Sequence, residues 1–240
     1  MMIFSPGDET SVGQISYIEV RNAGQANALG RYPIHFHMIG NVTKSYIKGC
    51  SIHDTFNRAV TIHGVHHLRV SHNVAFNTFG HTFFIEDGIE TNNILEYNLG
   101  FGTKQTFSLL NSDTTPATFW ITNPDNAIRF NRAAGGARYG FWFDLPLHPG
   151  GPSSTSTVCP RGVKLGEFSN NVAHSYLRYG LRIFREHTPR ERPCDPVKDD
   201  SLLNPWSFNP TITAVYNDFT SFRNGRSGAI GEDIGDVIWQ

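Results

Sequence analysis

A short phrase that recurs along the chain is the feature that most limits its fold. The phrase is an apolar residue, two variable residues, Asn, a usually apolar residue and a small residue. Its copies are Val70-Ser71-His72-Asn73-Val74-Ala75, Leu95-Glu96-Tyr97-Asn98-Leu99-Gly100, Ile128-Arg129-Phe130-Asn131-Arg132-Ala133 and Phe168-Ser169-Asn170-Asn171-Val172-Ala173, with a degenerate fifth copy in Val215-Tyr216-Asn217-Asp218-Phe219. The Asn spacings are 25, 33, 40 and 46 residues. The strands therefore repeat while the loops between them vary.

A second strand follows several copies and begins near a glycine, as in the segments starting at Gly80, Gly140 and Gly180. Short β-branched and aromatic strands without a helical apolar period favour a coil in which each turn packs on the one before. We predict an all-β, right-handed parallel β-helix (solenoid) with long inserted loops, forming a single domain over residues 1–240. An antiparallel sandwich is the alternative, but it requires frequent hairpin turns, and Asn-Gly occurs once, at Asn224-Gly225.

The recurring Asn residues are predicted to form an internal ladder, with each side-chain amide bonded to the amide one rung away. The Pro-rich segments 146–160 and 185–210 are predicted to be long loops, which on a rigid solenoid commonly build the binding face. Cys50, in an apolar segment, is expected to be a core residue. Cys159 and Cys194 are placed so that one disulfide can tie a loop, although the sequence alone does not establish it.

Composition narrows the class of protein. Charged residues make up 17%, apolar residues 39%, and the formal net charge is -1, which excludes a disordered chain and a general nucleic-acid binder. No run approaches the roughly 20 apolar residues of a transmembrane helix, and the opening residues lack a targeting signal. Because the first strands have no obvious cap, the chain is expected to be a fragment of a longer protein. The sequence leaves its oligomeric state open.

Aligned strands place histidines and carboxylates in one column. Ile34-His35-Phe36-His37, Val60-Thr61-Ile62-His63, Phe83-Phe84-Ile85-Glu86 and Phe141-Trp142-Phe143-Asp144 stack as rungs, giving the column His37, His63, Glu86 and Asp144. Parallel strands lie about 4.8 Å apart, and His35 shares the face of His37. The predicted ligands of a divalent metal, either calcium or a transition metal, are His35, His37 and His63. The predicted catalytic carboxyl groups are Glu86, Asp87 and Asp144. With 11 histidines in the chain, a chance meeting that merely holds rungs together is the alternative.

Three further groups of residues are candidates for binding a cation or a carbohydrate. The sequence Glu86-Asp87-Gly88-Ile89-Glu90 is predicted to turn sharply at its glycine and present several carboxylates, a weak match to a calcium loop. Arginines recur near strand starts, where they would suit a carboxylated sugar polymer. The predicted substrate-binding residues are Arg31, Arg58, His81 and Arg138. Aromatic residues can stack on sugar rings or fill the core, and these are Tyr32, Trp120, Phe141 and Trp142.

Several phrases occur in an order that resembles one protein family. They are Gly30-Arg31-Tyr32-Pro33-Ile34-His35-Phe36-His37-Met38, Ser51-Ile52-His53-Asp54-Thr55-Phe56-Asn57-Arg58, Gly80-His81-Thr82-Phe83-Phe84-Ile85-Glu86-Asp87-Gly88, Thr118-Phe119-Trp120 and Gly140-Phe141-Trp142-Phe143. Nearly the whole chain resembles the family containing cell-migration-inducing hyaluronidase, transmembrane hyaluronidase and fibrocystin-L. The resemblance implies β-helix repeats in a secreted or membrane-anchored glycoprotein, and conditionally implies hyaluronan as the substrate. Asp144-Leu145-Pro146-Leu147-His148 departs from the His-rich stretch expected in the hyaluronidase branch.

Two functions follow as hypotheses. The first is an endo-acting glycosidase on a glycosaminoglycan such as hyaluronan, in which Glu86 or Asp87 protonates the leaving oxygen and Asp144 assists water or stabilises charge. The second is a non-catalytic cell-surface module of the fibrocystin-L type that binds glycans or proteins. An open groove with paired carboxyl groups on its floor would favour the enzyme. A column buried under a loop would favour the module.

Overall fold

A computed structural model describes residues 2–4, 11–107, 110–195 and 209–240, and within these ranges 23 strands form three sheets. Sheet A contains β1 (Met2–Phe4), β4 (Ile34–Asn41), β7 (Val60–His66), β10 (Phe83–Ile85), β13 (Ala117–Ile121), β16 (Tyr139–Asp144), β19 (Tyr179–Phe184) and β22 (Ser227–Gly231). Sheet B contains β2 (Gln14–Ser16), β5 (Tyr46–Lys48), β8 (Arg69–Ser71), β11 (Ile94–Glu96), β14 (Ala127–Arg129), β17 (Glu167–Ser169), β20 (Ala214–Asn217) and β23 (Val237–Trp239). Sheet C contains β3 (Glu19–Arg21), β6 (Ser51–Thr55), β9 (Val74–Thr78), β12 (Leu99–Thr103), β15 (Arg132–Gly136), β18 (Val172–Tyr176) and β21 (Thr220–Phe222).

The chain passes through the three sheets in turn, so neighbours within a sheet are three strands apart in sequence. Each ladder between these strands is parallel, as in β4 with β7 and β7 with β10. The predicted parallel β-helix is confirmed, and the antiparallel sandwich is wrong. Among the described residues the helical segments are short 3₁₀ turns at Asn111–Thr114, Gly151–Ser153 and Pro160–Gly162. None of these could cross a bilayer.

The interior is a stack of like side chains. On sheet A, strand register places Val60, Phe83, Phe119 and Phe141 in one inward column. The rings of Phe83 and Phe119 lie 4.8 Å apart between centroids, and those of Phe119 and Phe141 lie 4.7 Å apart. Each such side chain contributes about 1.5–3 kcal/mol on burial, so the column supports the rungs that carry the site.

The Asn ladder is present and lies inside the coil. The side-chain amide of Asn73 donates to the side-chain oxygen of Asn98 at 2.9 Å, Asn98 to Asn131 at 3.1 Å, and Asn131 to Asn171 at 3.3 Å. Each of these four residues is at most 1% exposed, so the ladder satisfies amides that would otherwise be buried without partners. In the degenerate fifth copy, Asn217 pairs with Ser169 rather than with the ladder.

The inserted segments and cysteines complete the fold. Cys159 and Cys194 form a disulfide with a Cα separation of 5.2 Å, which joins the two segments that the sequence marks as long loops. Cys50 is a free, buried cysteine, as expected. Residues 196–208 of the second predicted loop lie outside the described residues.

Candidate functional site

Histidines and carboxylates meet on the outer face of sheet A. His37 on β4 pairs in register with His63 on β7, and Glu86 follows β10 directly, with its N–H donating to Ile62 O. The sequence alignment missed one rung, because β13 lies between β10 and β16. Since Ile121 pairs with Phe143, Asp144 lies next to Thr122 and about 9.6 Å, or two strand spacings, from the Glu86 position. The predicted direct stacking of Asp144 on Glu86 is therefore wrong.

The three histidines converge closely. One ring nitrogen from each of His35, His37 and His63 lies within 4.8 Å of the other two. His37 Nδ1 and His63 Nδ1 are 3.0 Å apart. The His35 and His63 rings are parallel, with centroids 5.9 Å apart, and the His37 ring stands edge-on to both. This arrangement can share a proton or hold a cation between the rings.

Asp87 orients His63 from the opposite side. His63 Nε2 lies 2.8 Å from Asp87 Oδ2, which also accepts the Ser153 N–H at 3.2 Å. Gly151, at φ +54°, comes so close that an added Cβ would lie 2.7 Å from Asp87 Oδ1. A glycine is therefore required where this loop approaches the carboxylate.

Glu86 lies beside His63 in a poorly hydrated position. Glu86 Oε2 is 3.3 Å from His63 Nδ1, and this oxygen has no hydrogen-bond partner among the residues that the structure describes. Burial raises the pKa of Glu86 to about 7, against the lowering effect of the His63 and Arg58 charges. The carboxyl group can therefore be protonated near neutral pH, as a general acid must be.

The pKa values of the three histidines and of Asp87 are shifted in different directions. Burial lowers the pKa of His35 to about 4 and also lowers the pKa of His37. Burial by itself lowers the pKa of His63, but its hydrogen bond to Asp87 and the nearby carboxylates raise it overall. For Asp87, burial acts to raise the pKa, but the hydrogen bonds from His63 and Ser153 lower it overall. Asp87 therefore stays ionised where Glu86 holds its proton.

The turn after Glu86 is sharp, as the sequence predicts, but the carboxylate of Glu90 is hydrogen-bonded to the backbone. Gly88 has φ +98°. Glu90 is fully buried and accepts the N–H groups of Gly64, Asp87 and Gly88 at 2.8, 3.1 and 2.8 Å. Because these bonds occupy the Glu90 oxygens, the turn does not present its carboxylates together as a calcium loop would.

A pocket of about 560 Å³ opens over this cluster, a volume in the range of small-ligand sites. Its floor is formed by side chains of sheet A, which are His35, His37, His63, Phe84, Glu86, Asp87 and Trp120. Three loops supply its walls through Leu29 and Gly30, Leu110 and Ser112, and Gly151 and Pro152. Loop 146–160 thus contributes to the pocket, whereas Asp144 does not line it.

The predicted substrate-binding residues lie in different places. Arg58 is buried, pairs with both oxygens of Asp113 and stacks over Phe84 at 3.9 Å. His81 is also fully buried, and its Nδ1 accepts the Ala117 N–H. Neither residue can contact a polymer in this conformation, so their predicted role is not supported.

Arg31 and Arg138 also differ from one another. Arg31 is exposed next to Gly30 at the edge of the pocket, where it can reach a ligand. Arg138 is partly buried and does not line the pocket.

Aromatic side chains cover the outer face beside the pocket. Trp120 and Trp142 pack edge to face at 4.7 Å, next to Phe84 and Tyr139. Phe141 points into the main core instead, and Tyr32 is buried at 4.9 Å from the His35 ring. Trp120 is therefore the predicted stacking residue that reaches the pocket floor.

The sequence did not indicate two contributors to the site. Asp113, within a segment that lacks a repeat phrase, anchors the wall that carries Leu110 and Ser112 by binding Arg58. Ser153 donates its backbone N–H to the Asp87 carboxylate. The sequence Gly151-Pro152 indicated a loop at this position. No sequence motif around Asp113 indicated that it would pair with Arg58.

With this geometry established, comparison with known proteins identifies the family. The sequence model described as CEMIP beta-helix matches residues 2–181. This chain belongs to the CEMIP beta-helix family. It is 52% identical to Fibrocystin-L of Mus musculus over 78% of the chain and 4% of that relative. It is 34% identical to Cell surface hyaluronidase CEMIP2 of Homo sapiens over 96% of the chain and 20% of that relative.

A third relative also has a name that specifies hyaluronan. The chain is 35% identical to Cell migration-inducing and hyaluronan-binding protein of Homo sapiens, over 72% of the chain and 14% of that relative. The chain spans one fifth or less of the length of each of these three relatives. The family model, over residues 2–181, includes β4 and β7, the strands that carry the histidine cluster.

Proposed function

We propose that this CEMIP beta-helix chain hydrolyses a hyaluronan-like glycosaminoglycan within the polymer, with Glu86 as the general acid. The observation that carries the proposal is the adjacent pair of carboxyl groups in one pocket, with opposite pKa shifts. Burial raises the pKa of Glu86 to about 7, while the hydrogen bonds from His63 and Ser153 lower the pKa of Asp87. Such a pair divides acid and anion roles at one pH.

In this mechanism Glu86 donates its proton to the leaving glycosidic oxygen. Asp87 remains negative and holds His63 through the 2.8 Å hydrogen bond. Its negative charge stabilises the positive charge that develops at the anomeric carbon as the glycosidic bond breaks. A water molecule then attacks the anomeric carbon and gives a proton to the Glu86 carboxylate, which restores the acid. Trp120 and Phe84 offer apolar surface for a sugar ring, and Arg31 lies where it can pair with the sugar carboxylate. The site is extracellular or at the cell surface in this proposal, which is supported by the name of the relative Cell surface hyaluronidase CEMIP2.

The test is digestion of size-defined hyaluronan by the purified chain, with product length read by gel or light scattering. Fragmentation is expected, and Glu86→Gln should reduce its rate by at least about 100-fold, since general acid catalysis contributes 10²–10⁴-fold. Glu167→Gln is the matched control, because Glu167 lies on sheet B and binds Arg129. Equal rates in the wild-type and Glu86→Gln chains would refute the assignment of Glu86.

A non-catalytic glycan-binding module is the second candidate. It is favoured by the higher identity to Fibrocystin-L, whose name specifies no reaction. This function predicts that a folded chain retains hyaluronan in a binding assay while the polymer keeps its full length. Loss of that binding in Trp120→Ala would place the ligand in the same pocket.

A further inference from the structure

We infer that His35, His37 and His63 form a binding site for one divalent first-row transition-metal ion. This inference stands apart from the proposed hydrolysis, because it concerns metal affinity and not reaction. Its basis is the convergence of three imidazole nitrogens within 4.8 Å. His35 and His37 lie on β4, and His63 lies on β7, so adjacent paired strands fix the backbone positions of all three.

Hydrogen bonds outside the cluster decide which ring nitrogens carry hydrogen. His35 Nδ1 lies 3.0 Å from the carbonyl oxygen of Gly30, and His63 Nε2 lies 2.8 Å from the Asp87 carboxylate. Both oxygens accept hydrogen bonds, so these two ring nitrogens are the donors. The lone pairs then remain on His35 Nε2 and His63 Nδ1. Carboxylates and carbonyls oriented in this way are the usual outer partners of metal-binding histidines.

The lone pairs lack sufficient partners among the described residues. His35 is 1% exposed, and its Nε2 has no hydrogen-bond partner in the described part of the chain. His63 Nδ1 faces His37 Nδ1 at 3.0 Å and Glu86 Oε2 at 3.3 Å, and that Glu86 oxygen makes no hydrogen bond to any described residue. Two imidazole lone pairs and one carboxyl oxygen thus face the same small space. A cation in that space would satisfy them together.

The distances and donor types indicate the class of metal. Two nitrogens bound to one ion at about 2.0–2.1 Å are separated by roughly 2.9–3.4 Å, depending on the coordination angle, and the His37 and His63 nitrogens are 3.0 Å apart. Three imidazoles suit zinc, cobalt, nickel or copper, whereas calcium takes six to eight oxygen ligands. The pocket leaves one side of the cluster open beside Glu86, so a water or ligand atom can complete the coordination.

The competing explanation is a metal-free cluster in which the rings stack and one proton joins His37 to His63. Metal titration separates the two explanations. The untagged chain is stripped with chelator, dialysed and titrated with zinc chloride by calorimetry, while bound metal is counted by elemental analysis. In parallel, cobalt chloride is added and the visible absorption of coordinated cobalt is recorded. We expect one zinc per chain and a cobalt spectrum that zinc displaces.

Four variants test the ligand assignment. His37→Gln and His63→Gln should each weaken zinc binding at least tenfold. Asp87→Asn should weaken it by about 10–100-fold through loss of the outer partner. The matched control is His174→Gln on β18 of sheet C, which should bind zinc as the wild type does.

Folding is checked for every variant by circular dichroism and thermal melting. His37 is only partly buried, so His37→Gln keeps the test available if His63→Gln does not fold. Absence of stoichiometric zinc or cobalt binding by the folded chain would overturn the inference. Binding of unchanged affinity in folded His37→Gln would also overturn it.

Discussion

Replacing Glu86 by Gln should stabilise the protein at alkaline pH. Glutamine has nearly the shape of protonated glutamate but cannot ionise, so it removes the cost of a buried negative charge. In the folded chain, burial raises the pKa of Glu86 from 4.5 to about 7. Above pH 7 the folded protein must hold an ionised group in a position that favours the neutral form.

The sign and size of this change in folding stability follow from proton linkage. Between pH 4.5 and 7 the folded state binds more protons at Glu86 than the unfolded state does, so the contribution of this group to stability falls as the pH rises. At about 1.4 kcal/mol per pKa unit the full cost is about 3 kcal/mol at pH 8. A change of that size in a chain of 240 residues raises the melting temperature by about 6–12 °C.

The assay is chemical and thermal unfolding of wild type and Glu86→Gln from pH 4 to pH 8.5. The two proteins should have similar free energies of unfolding at pH 4, and the variant should be increasingly more stable above pH 6. Glu96→Gln is the matched control with the opposite sign. Burial acts to raise the pKa of Glu96, but hydrogen bonds from Arg129 and Arg69 lower it overall, so that variant should lose stability at pH 8 and little at pH 4. A Glu86→Gln difference that is independent of pH, or a loss of stability at pH 8, would refute the reasoning.

Three further outcomes are expected. Asn98→Ala should lower the free energy of unfolding in urea by about 3 kcal/mol or more, because buried ladder groups of neighbouring rungs lose their partners. Asn217→Ala, outside the ladder, should lower it by less than about 1 kcal/mol. Equal losses in the two variants would contradict the ladder's role. Arg58→Met should destabilise the chain by about 3–5 kcal/mol by leaving the Asp113 carboxylate buried and unpaired; Arg58→Met with Asp113→Leu should recover part of this loss, and no recovery would argue against the ion pair. If Glu86 is the acid, the hyaluronan cleavage rate should fall tenfold per pH unit above about pH 7, and a flat profile from pH 6 to pH 9 would be incompatible with that role.

The repeat phrases predicted the fold because their constraint is local to each rung. An Asn in the ladder must face inward in every turn to satisfy its own amide, so the phrase marks strand register directly. Apolar residues on the inward column obey the same rule, as Phe83 and Phe119 do. The turn containing β13 has its Asn phrase around Asn98, but β13 itself does not begin near a glycine as the strands at Gly80, Gly140 and Gly180 do. The strand alignment therefore skipped β13 and placed Asp144 one rung too close to Glu86.

The histidine cluster was predictable from the same register, whereas the pocket walls were not. His37 and His63 fall together because paired parallel strands fix their spacing. The Arg58 and Asp113 contact spans 55 residues and depends on the path of an inserted loop, which no periodicity specifies. Burial of Arg58 likewise depends on that loop. The sequence therefore predicted Arg58 as a substrate-binding residue, whereas in the structure it forms a buried ion pair with Asp113.

The unequal spacing of the ladder residues has a consequence for how this scaffold can diverge. Ladder hydrogen bonds continue across sequence gaps of 25, 33 and 40 residues, so insertions between rungs leave the spine of the molecule unchanged. The floor of the pocket belongs to that spine, while segments such as Gly151–Ser153 belong to the insertions. Insertions or deletions in single loops can therefore change the walls of the pocket while the ladder and the fold are kept. The ligand preference of related proteins can change in this way without loss of folding at any step.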